Sequence, residues 1–146
     1  MGGRNILLSF VFHFLLLVMT GILFRIGNHP LFSMIVMLVV LSGYTLLGNI
    51  FLKPLGSVAT NLLSVSFVSL VGFLIGLYAW LFPSMMGFNW MIFLGYYLYI
   101  FGVVDALNLD PGPHITFCFF VVPSLFLWIG LQLKASGYSI SGSRTS

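Results

Sequence analysis

Charged side chains are scarce in this sequence. Asp, Glu, Lys and Arg together make up 5% of its 146 residues, and glutamate is absent. A soluble domain carries about 25% charged residues because its surface faces water, so this composition excludes a soluble fold. The formal net charge of +3 is too small and too dispersed to indicate a nucleic-acid partner.

Cysteine and catalytic motifs are also nearly absent. The single cysteine, Cys118, excludes a disulfide framework and a multi-cysteine metal site. The sequence lacks the H-E-x-x-H, G-x-S-x-G and P-loop patterns that carry hydrolytic or nucleotide chemistry. We therefore expect no enzymatic activity, no bound metal and no cofactor.

Long apolar runs dominate what remains. Hydrophobic residues make up 60% of the chain and aromatic residues 17%, and the mean hydropathy is +1.17. A bilayer core about 30 Å thick needs about 20 helical residues to cross it. The runs predict an all-α, polytopic transmembrane bundle with about five helices, as a single domain over residues 1–134. The predicted spans are residues 5–24, 31–52, 59–82, 89–107 and 113–133.

Turn and stop signals set these limits. Arg4 and Arg25 bound the first span, whose length favours a transmembrane helix over a signal peptide. Pro30 suits the first turn of the second helix, and Lys53 followed by proline suits its end. Pro123 is expected to kink the last span. The Ser/Gly-rich residues 135–146 predict a disordered tail.

The cations give a weak indication of orientation. With five spans, Arg4 and Lys53 lie on one side of the membrane, and Arg25, Lys134 and Arg144 lie on the other. Because cytoplasmic loops carry an excess of Lys and Arg, this count favours an outside N-terminus. If one hydrophobic segment is re-entrant, both termini instead share a side.

Small residues predict where helices approach closely. Ser69, Gly72, Gly76 and Ala79 recur at heptad-like spacing on the third span and include a G-x-x-x-G pair. We interpret this face as a helix-packing seam within the bundle, with a dimer face as the alternative.

Polar residues form stripes on the first two spans. Asn5, Ser9, His13 and Thr20 share one face of the first, and Ser42, Thr45, Asn49 and Lys53 share one face of the second. The stripes are expected to hydrogen-bond each other, or else to line a polar crevice.

His13 is the first candidate for chemistry. It lies near the middle of the first span, and an ionisable residue inside a membrane indicates a functional site by default. A hydrogen-bonded interhelical histidine is the structural alternative to a proton-relay or ligand role.

The second candidate is the segment from Asp105 to His114. It holds both acidic residues of the chain, Asp105 and Asp110, together with Asn108 and His114. These side chains have the chemistry to hold a hard cation or a divalent metal. The structural alternative makes Asp110 a helix N-cap before Pro111.

Nearby tyrosines form a third group. Tyr96, Tyr97 and Tyr99 lie within the fourth span, and their hydroxyls need hydrogen-bond partners when buried. We expect them to serve packing, with a substrate cavity as the alternative.

Three functions compete on this evidence. We expect a small accessory, scaffold or regulatory subunit that acts through helix–helix contacts with other membrane proteins. The first alternative is a homo-oligomeric transporter or channel for an ion or small solute, in which identical subunits complete the pathway. An intramembrane enzyme built on Asp105 to His114 ranks last. The lipid bilayer is the surrounding medium in every case, and the composition favours a prokaryotic cytoplasmic membrane.

Overall fold

A computed structural model describes residues 2–27, 29–82, 87–109 and 118–142. Within these ranges the chain is all-α and contains no strand, which confirms the predicted fold class. A 3-10 turn, Cys118–Val121, precedes the last helix. The seven α-helices are α1 (Gly3–Phe24), α2 (Pro30–Phe51), α3 (Val58–Val65), α4 (Phe67–Leu81), α5 (Phe88–Tyr96), α6 (Leu98–Ala106) and α7 (Val122–Gly142).

Three segments of the described chain are long and apolar enough to cross a membrane. They are Gly3–Phe24, Pro30–Phe51 and Phe119–Gly137, and the bent pair α3–α4 makes a fourth when counted as one crossing. The described residues therefore supply three to four candidate crossings, and the predicted count of five is not confirmed.

The third predicted span is broken at Ser66. Helices α3 and α4 meet there at an angle of 45°. The Ser66 hydroxyl donates to the Leu63 carbonyl at 3.1 Å, and serine back-bonding of this kind often bends a helix. The α3 N-terminus is fixed by a capping box between Ser57 and Thr60.

The fourth predicted span is broken at Tyr97. This residue has φ −102° and ψ 15°, and the Ile100 amide donates to its carbonyl in a tight 3-10 bond of 2.9 Å. The Tyr97 hydroxyl is held by the Gly72 carbonyl of α4 at 2.8 Å. This tertiary bond, which lies outside the local sequence pattern, fixes Tyr97 at the break.

The last helix begins later and ends later than the predicted span. Pro123 is the second residue of α7, where a missing amide costs no intrahelical bond, so Pro123 marks the helix start rather than a kink. Helix α7 continues to Gly142 through part of the predicted disordered tail. The Ser136 hydroxyl donates to the Gln132 carbonyl at 3.0 Å in this extension. Residues 113–117 and 143–146 lie outside the described ranges.

Helices α1 and α2 pack antiparallel. The Asn5 side chain bonds the Lys53 backbone near the start of α1, with Nδ2 2.9 Å from its carbonyl and Oδ1 3.1 Å from its amide. His13 meets Tyr44 in mid-helix. Their connection, with His29 capping α2 through the Leu31 amide and Pro30 at its first position, lies at the opposite end.

Helices α2 and α7 run parallel and form the most extensive helix pair of the bundle. Gly48 of α2 lies against the Leu127 carbonyl, and Gly130 of α7 lies against the Thr45 carbonyl, so closely that neither glycine has room for a Cβ atom. The Lys134 ammonium reaches the Ile50 carbonyl at 2.9 Å.

The parallel packing of α7 corrects the expected charge distribution. Lys134 lies at the same end of the bundle as Arg4 and Lys53, not on the side of Arg25. A five-span alternation would separate Lys134 from Lys53, and the structure does not confirm that alternation.

Candidate functional site

The polar face of α1 is turned into the bundle. Asn5, Ser9, His13 and Thr20 are all buried. The Ser9 and Thr20 hydroxyls donate to the carbonyls of Asn5 and Leu16 one turn earlier, at 2.7 and 2.6 Å. Asn5 also donates to the Ser64 hydroxyl at 3.2 Å. Among the described hydrogen bonds, the one from this stripe to a side chain of α2 is made by His13.

His13 pairs with a tyrosine that the stripe pattern did not include. Its Nδ1 atom lies 2.8 Å from the Tyr44 hydroxyl. In one imidazole tautomer Tyr44 donates to Nδ1, and in the other Nδ1–H donates to Tyr44. Both residues are 0% exposed. His13 Nε2 is buried without a hydrogen-bond partner in the described part of the chain.

Tyrosine rings enclose the imidazole. The Tyr96 ring lies 4.3 Å from the imidazole centroid to centroid, and the Tyr99 ring meets it edge-on at 6.2 Å. Tyr99 also packs edge-on against Tyr44 at 6.2 Å. We call His13, Tyr44, Tyr96 and Tyr99 the histidine–tyrosine cluster. It joins α1, α2, α5 and α6.

The tyrosine hydroxyls hold neighbouring backbone. Tyr96 donates to the Val68 carbonyl at 2.6 Å, and Tyr99 donates to the Phe119 carbonyl at 3.2 Å. Such bonds satisfy the hydroxyls that burial would otherwise leave without partners. The cluster can thus lock helices together, and its one spare polar atom is His13 Nε2.

The small-residue face of α4 is an internal contact. Ser69, Gly72, Gly76 and Ala79 are all buried. A Cβ atom on Gly72 would lie 2.9 Å from the Tyr96 ring and 3.4 Å from the Tyr97 hydroxyl. Aromatic side chains of the same chain thus fill the space beside Gly72. A helix from a second copy of the protein could not pack there.

The Asp105–His114 segment is only partly described. Asp105 belongs to the backbone of α6. Asn108 is exposed and has φ 52°, and the Leu109 amide donates a hydrogen bond to the Val104 carbonyl at 2.8 Å. This is a Schellman-type helix end, for which asparagine is a common residue. Asp110 and His114 lie outside the described residues. No group of three His, Cys, Asp or Glu side chains occurs among those that are described.

The outer face of α2 was not anticipated as a surface feature. Ser42 lies near the middle of α2 on the wall between two apolar grooves. One groove, toward α1, has a volume of about 550 Å³ and includes Leu16, Leu38 and Leu46. The other, toward α7, has about 450 Å³ and includes Thr45 and Phe126.

Ser42 differs from its neighbour in hydrogen bonding. The Thr45 hydroxyl donates to the Leu41 carbonyl at 3.2 Å. The exposed Ser42 hydroxyl has no partner in the described ranges. The sequence prediction turned the polar stripe of α2 toward α1 or a polar crevice, whereas Ser42 of that stripe is exposed on the outer face.

No protein-family model, curated protein sequence or solved structure is significantly similar to this chain. Its function is therefore argued from the geometry described above.

Proposed function

We propose that this chain is a multi-pass integral protein of a prokaryotic cytoplasmic membrane and acts as a non-enzymatic accessory or regulatory subunit. In this proposal the outer face of α2 packs against a transmembrane helix of an unrelated partner protein. The observation that carries it is the exposed Ser42 hydroxyl between two apolar grooves.

The lipid setting is supported by the outward side chains. Leu7, Val18, Ile22 and Leu46 are at least half exposed, as are many other large apolar residues of α1 and α2. A contiguous apolar surface of this kind is costly in water and ordinary in a bilayer.

Four crossings fit the helix directions better than five. Helix α7 runs parallel to α2. Gly102 of α6 packs against Ser33 and Phe24, at the α1–α2 connection. We therefore assign crossings to α1, α2, the bent pair α3–α4, and α7. In this assignment α5 and α6 enter and leave at the same side, and both ends of the crossing region share the side of Arg4.

Membrane helices associate through small residues and interhelical hydrogen bonds, since lipid supplies little hydrophobic drive between them. The α1 and α4 faces that carry such residues are buried within the chain. Ser42 is the corresponding feature on the outer face of α2. A partner helix in the groove would bring an acceptor to the Ser42 hydroxyl.

The transporter or channel is the second candidate. It requires His13 to meet a water-filled path in an oligomer of identical subunits. We rank it second because His13 is 0% exposed and tyrosine rings surround it.

Lipid-preserving extraction followed by native mass spectrometry tests this proposal. We expect the chain to leave the membrane with a stoichiometric, unrelated protein. The Ser42→Phe variant places a bulky ring on the wall between the two grooves at an exposed position. It should therefore fold and lose the partner about ten-fold, because overpacking an interface costs about 1–3 kcal/mol.

Leu63→Phe is the matched control, since Leu63 is 67% exposed on α3 and away from both grooves. It should retain the partner. A defined homo-oligomer would support the transporter instead. A lone monomer before and after substitution would contradict both functions.

A further inference from the structure

Three cations from distant parts of the sequence converge on one cleft. The cleft has a volume of about 480 Å³ and lies where α2 ends. Its charged members are Arg4, Lys53 and Lys134, which come from the start of α1, the end of α2 and α7. Its remaining lining residues are Ile50, Phe51, Leu52 and Pro54.

Two of these cations are positioned by the α2 C-terminus. The Lys134 ammonium donates to the carbonyls of Ile50 and Leu52, both at 2.9 Å. Arg4 Nη2 donates to the Phe51 carbonyl at 3.1 Å. Carbonyls at a helix end lack intrahelical partners and attract cations. The bonds therefore fix both side chains beside the cleft.

The cations keep donors to spare. A guanidinium carries five N–H groups and an ammonium three. The hydrogen bonds to the α2 carbonyls use one of these on Arg4 and two on Lys134. The Lys53 ammonium has no hydrogen-bond partner in the described part of the chain.

Neutralising carboxylates are scarce throughout the sequence. The chain has only two acidic residues, Asp105 and Asp110. Asp105 follows Gly102 by one turn in α6, and Gly102 packs against Phe24 and Ser33, at the opposite end of the α1–α2 pair from Arg4. Among the described residues, no carboxylate is placed at this end of the bundle, so the cleft is open to an anionic ligand.

We propose that this cleft binds the phosphate group of an anionic phospholipid. Phosphate oxygens accept several charge-assisted hydrogen bonds at once, which suits a cleft lined by one arginine and two lysines. The exposed apolar side chains of Ile50 and Phe51 provide a surface for the glycerol and upper acyl segments. Basic pockets between transmembrane helices recognise lipid headgroups by this chemistry. Inorganic phosphate shares the charge and the acceptor oxygens but lacks the apolar body.

The test is a native mass-spectrometric titration of the full chain in neutral detergent. Phosphatidylglycerol and phosphatidylcholine with identical acyl chains are added in parallel. We expect phosphatidylglycerol to bind about ten-fold more tightly. Lys53→Gln and Arg4→Gln should each weaken that binding about five-fold. Arg25→Gln removes the same charge at the other end and should leave binding unchanged.

A competition arm separates the two sources of phosphate. If millimolar inorganic phosphate leaves phosphatidylglycerol bound, the site takes lipid. If inorganic phosphate displaces the lipid from wild type and the Arg25→Gln variant alike, the phosphate site stands and its ligand is the free ion. Equal binding of the two lipids, or an equal loss in Arg25→Gln and Lys53→Gln, would overturn the proposal. Neither result depends on a protein partner at Ser42.

Discussion

At the scale of single residues, His13 and Tyr44 form a hydrogen bond between two fully buried side chains of different helices. Sequence reasoning identified His13 as a mid-helix histidine with a structural alternative, because a lone imidazole among apolar residues must find a partner. It could not identify Tyr44, which is 31 residues away and outside the α2 polar stripe. Ser9, one turn before His13 on the same face of α1, is bonded to the Asn5 carbonyl instead.

Tyr44→Phe should lower the free energy of unfolding by about 1 kcal/mol, since interhelical hydrogen bonds in membrane proteins average about 0.6 and reach about 1.7 kcal/mol. The substitution keeps the ring and removes only the hydroxyl that meets His13. Unfolding in mixed detergent micelles, followed by circular dichroism, measures the change.

Tyr78→Phe is the control for that comparison, because Tyr78 is 40% exposed. Equal losses from the two substitutions would show that the His13 contact contributes nothing. A double variant with His13→Leu should then recover part of the Tyr44→Phe loss, because it removes the unpaired imidazole as well.

At the scale of helices, starts were easier to predict than breaks. Pro30 and the Lys53-Pro54 pair predicted the start and the end of α2 to within one residue, because proline constrains the backbone of its neighbours locally. The breaks at Ser66 and Tyr97 were missed. Tyr97 is held by the Gly72 carbonyl, a tertiary contact that no local pattern contains.

The tightest helix contact was also missed. Neither Gly48 nor Gly130 belongs to a G-x-x-x-G pair, yet each lies directly against a backbone carbonyl across α2 and α7. The predicted seam on α4 is filled by aromatic side chains instead. A single glycine on each of α2 and α7 thus allows a closer helix approach than the G-x-x-x-G pair does. The sequence pattern does not indicate that α2 packs against α7.

Gly130→Ala should destabilise the bundle by about 1–3 kcal/mol, because its Cβ atom would overlap the Thr45 carbonyl and force two helices apart. Gly137→Ala on the same helix meets nothing within 4 Å. It should be neutral or stabilise by up to about 1 kcal/mol through helix propensity. The same micelle unfolding assay reports both, and a Gly130→Ala variant as stable as Gly137→Ala would refute the close contact.

At the scale of the whole molecule, hydrophobic content predicted an all-α bundle with membrane-spanning helices. The directions of the helices support the four crossings that we propose. Apolar runs indicate segments long enough to cross, but they do not reveal which ends meet. The parallel packing of α2 and α7 gathers Arg4, Lys53 and Lys134 at one end. Under the proposed four crossings, the positive-inside rule predicts this end in the cytoplasm, the opposite of the orientation that a five-span count favours.

The proposed topology has four membrane crossings, with both ends of the crossing region on the side of Arg4. The most direct test is labelling by a membrane-impermeant maleimide in cells and in inverted vesicles. Single cysteines are introduced into a Cys118→Ala background at four glycines, Gly3, Gly27, Gly56 and Gly137. A Cβ atom meets nothing within 4 Å at Gly3, Gly56 and Gly137, and only Phe32 at 3.4 Å at Gly27.

We predict that the cysteines at positions 3, 56 and 137 react only from the cytoplasmic face and that the cysteine at position 27 reacts only from the opposite face. Reaction of positions 3 and 137 from opposite faces would restore a five-span topology and contradict the parallel arrangement of α2 and α7 in the membrane. Reaction of all four positions from one face would contradict the crossing itself.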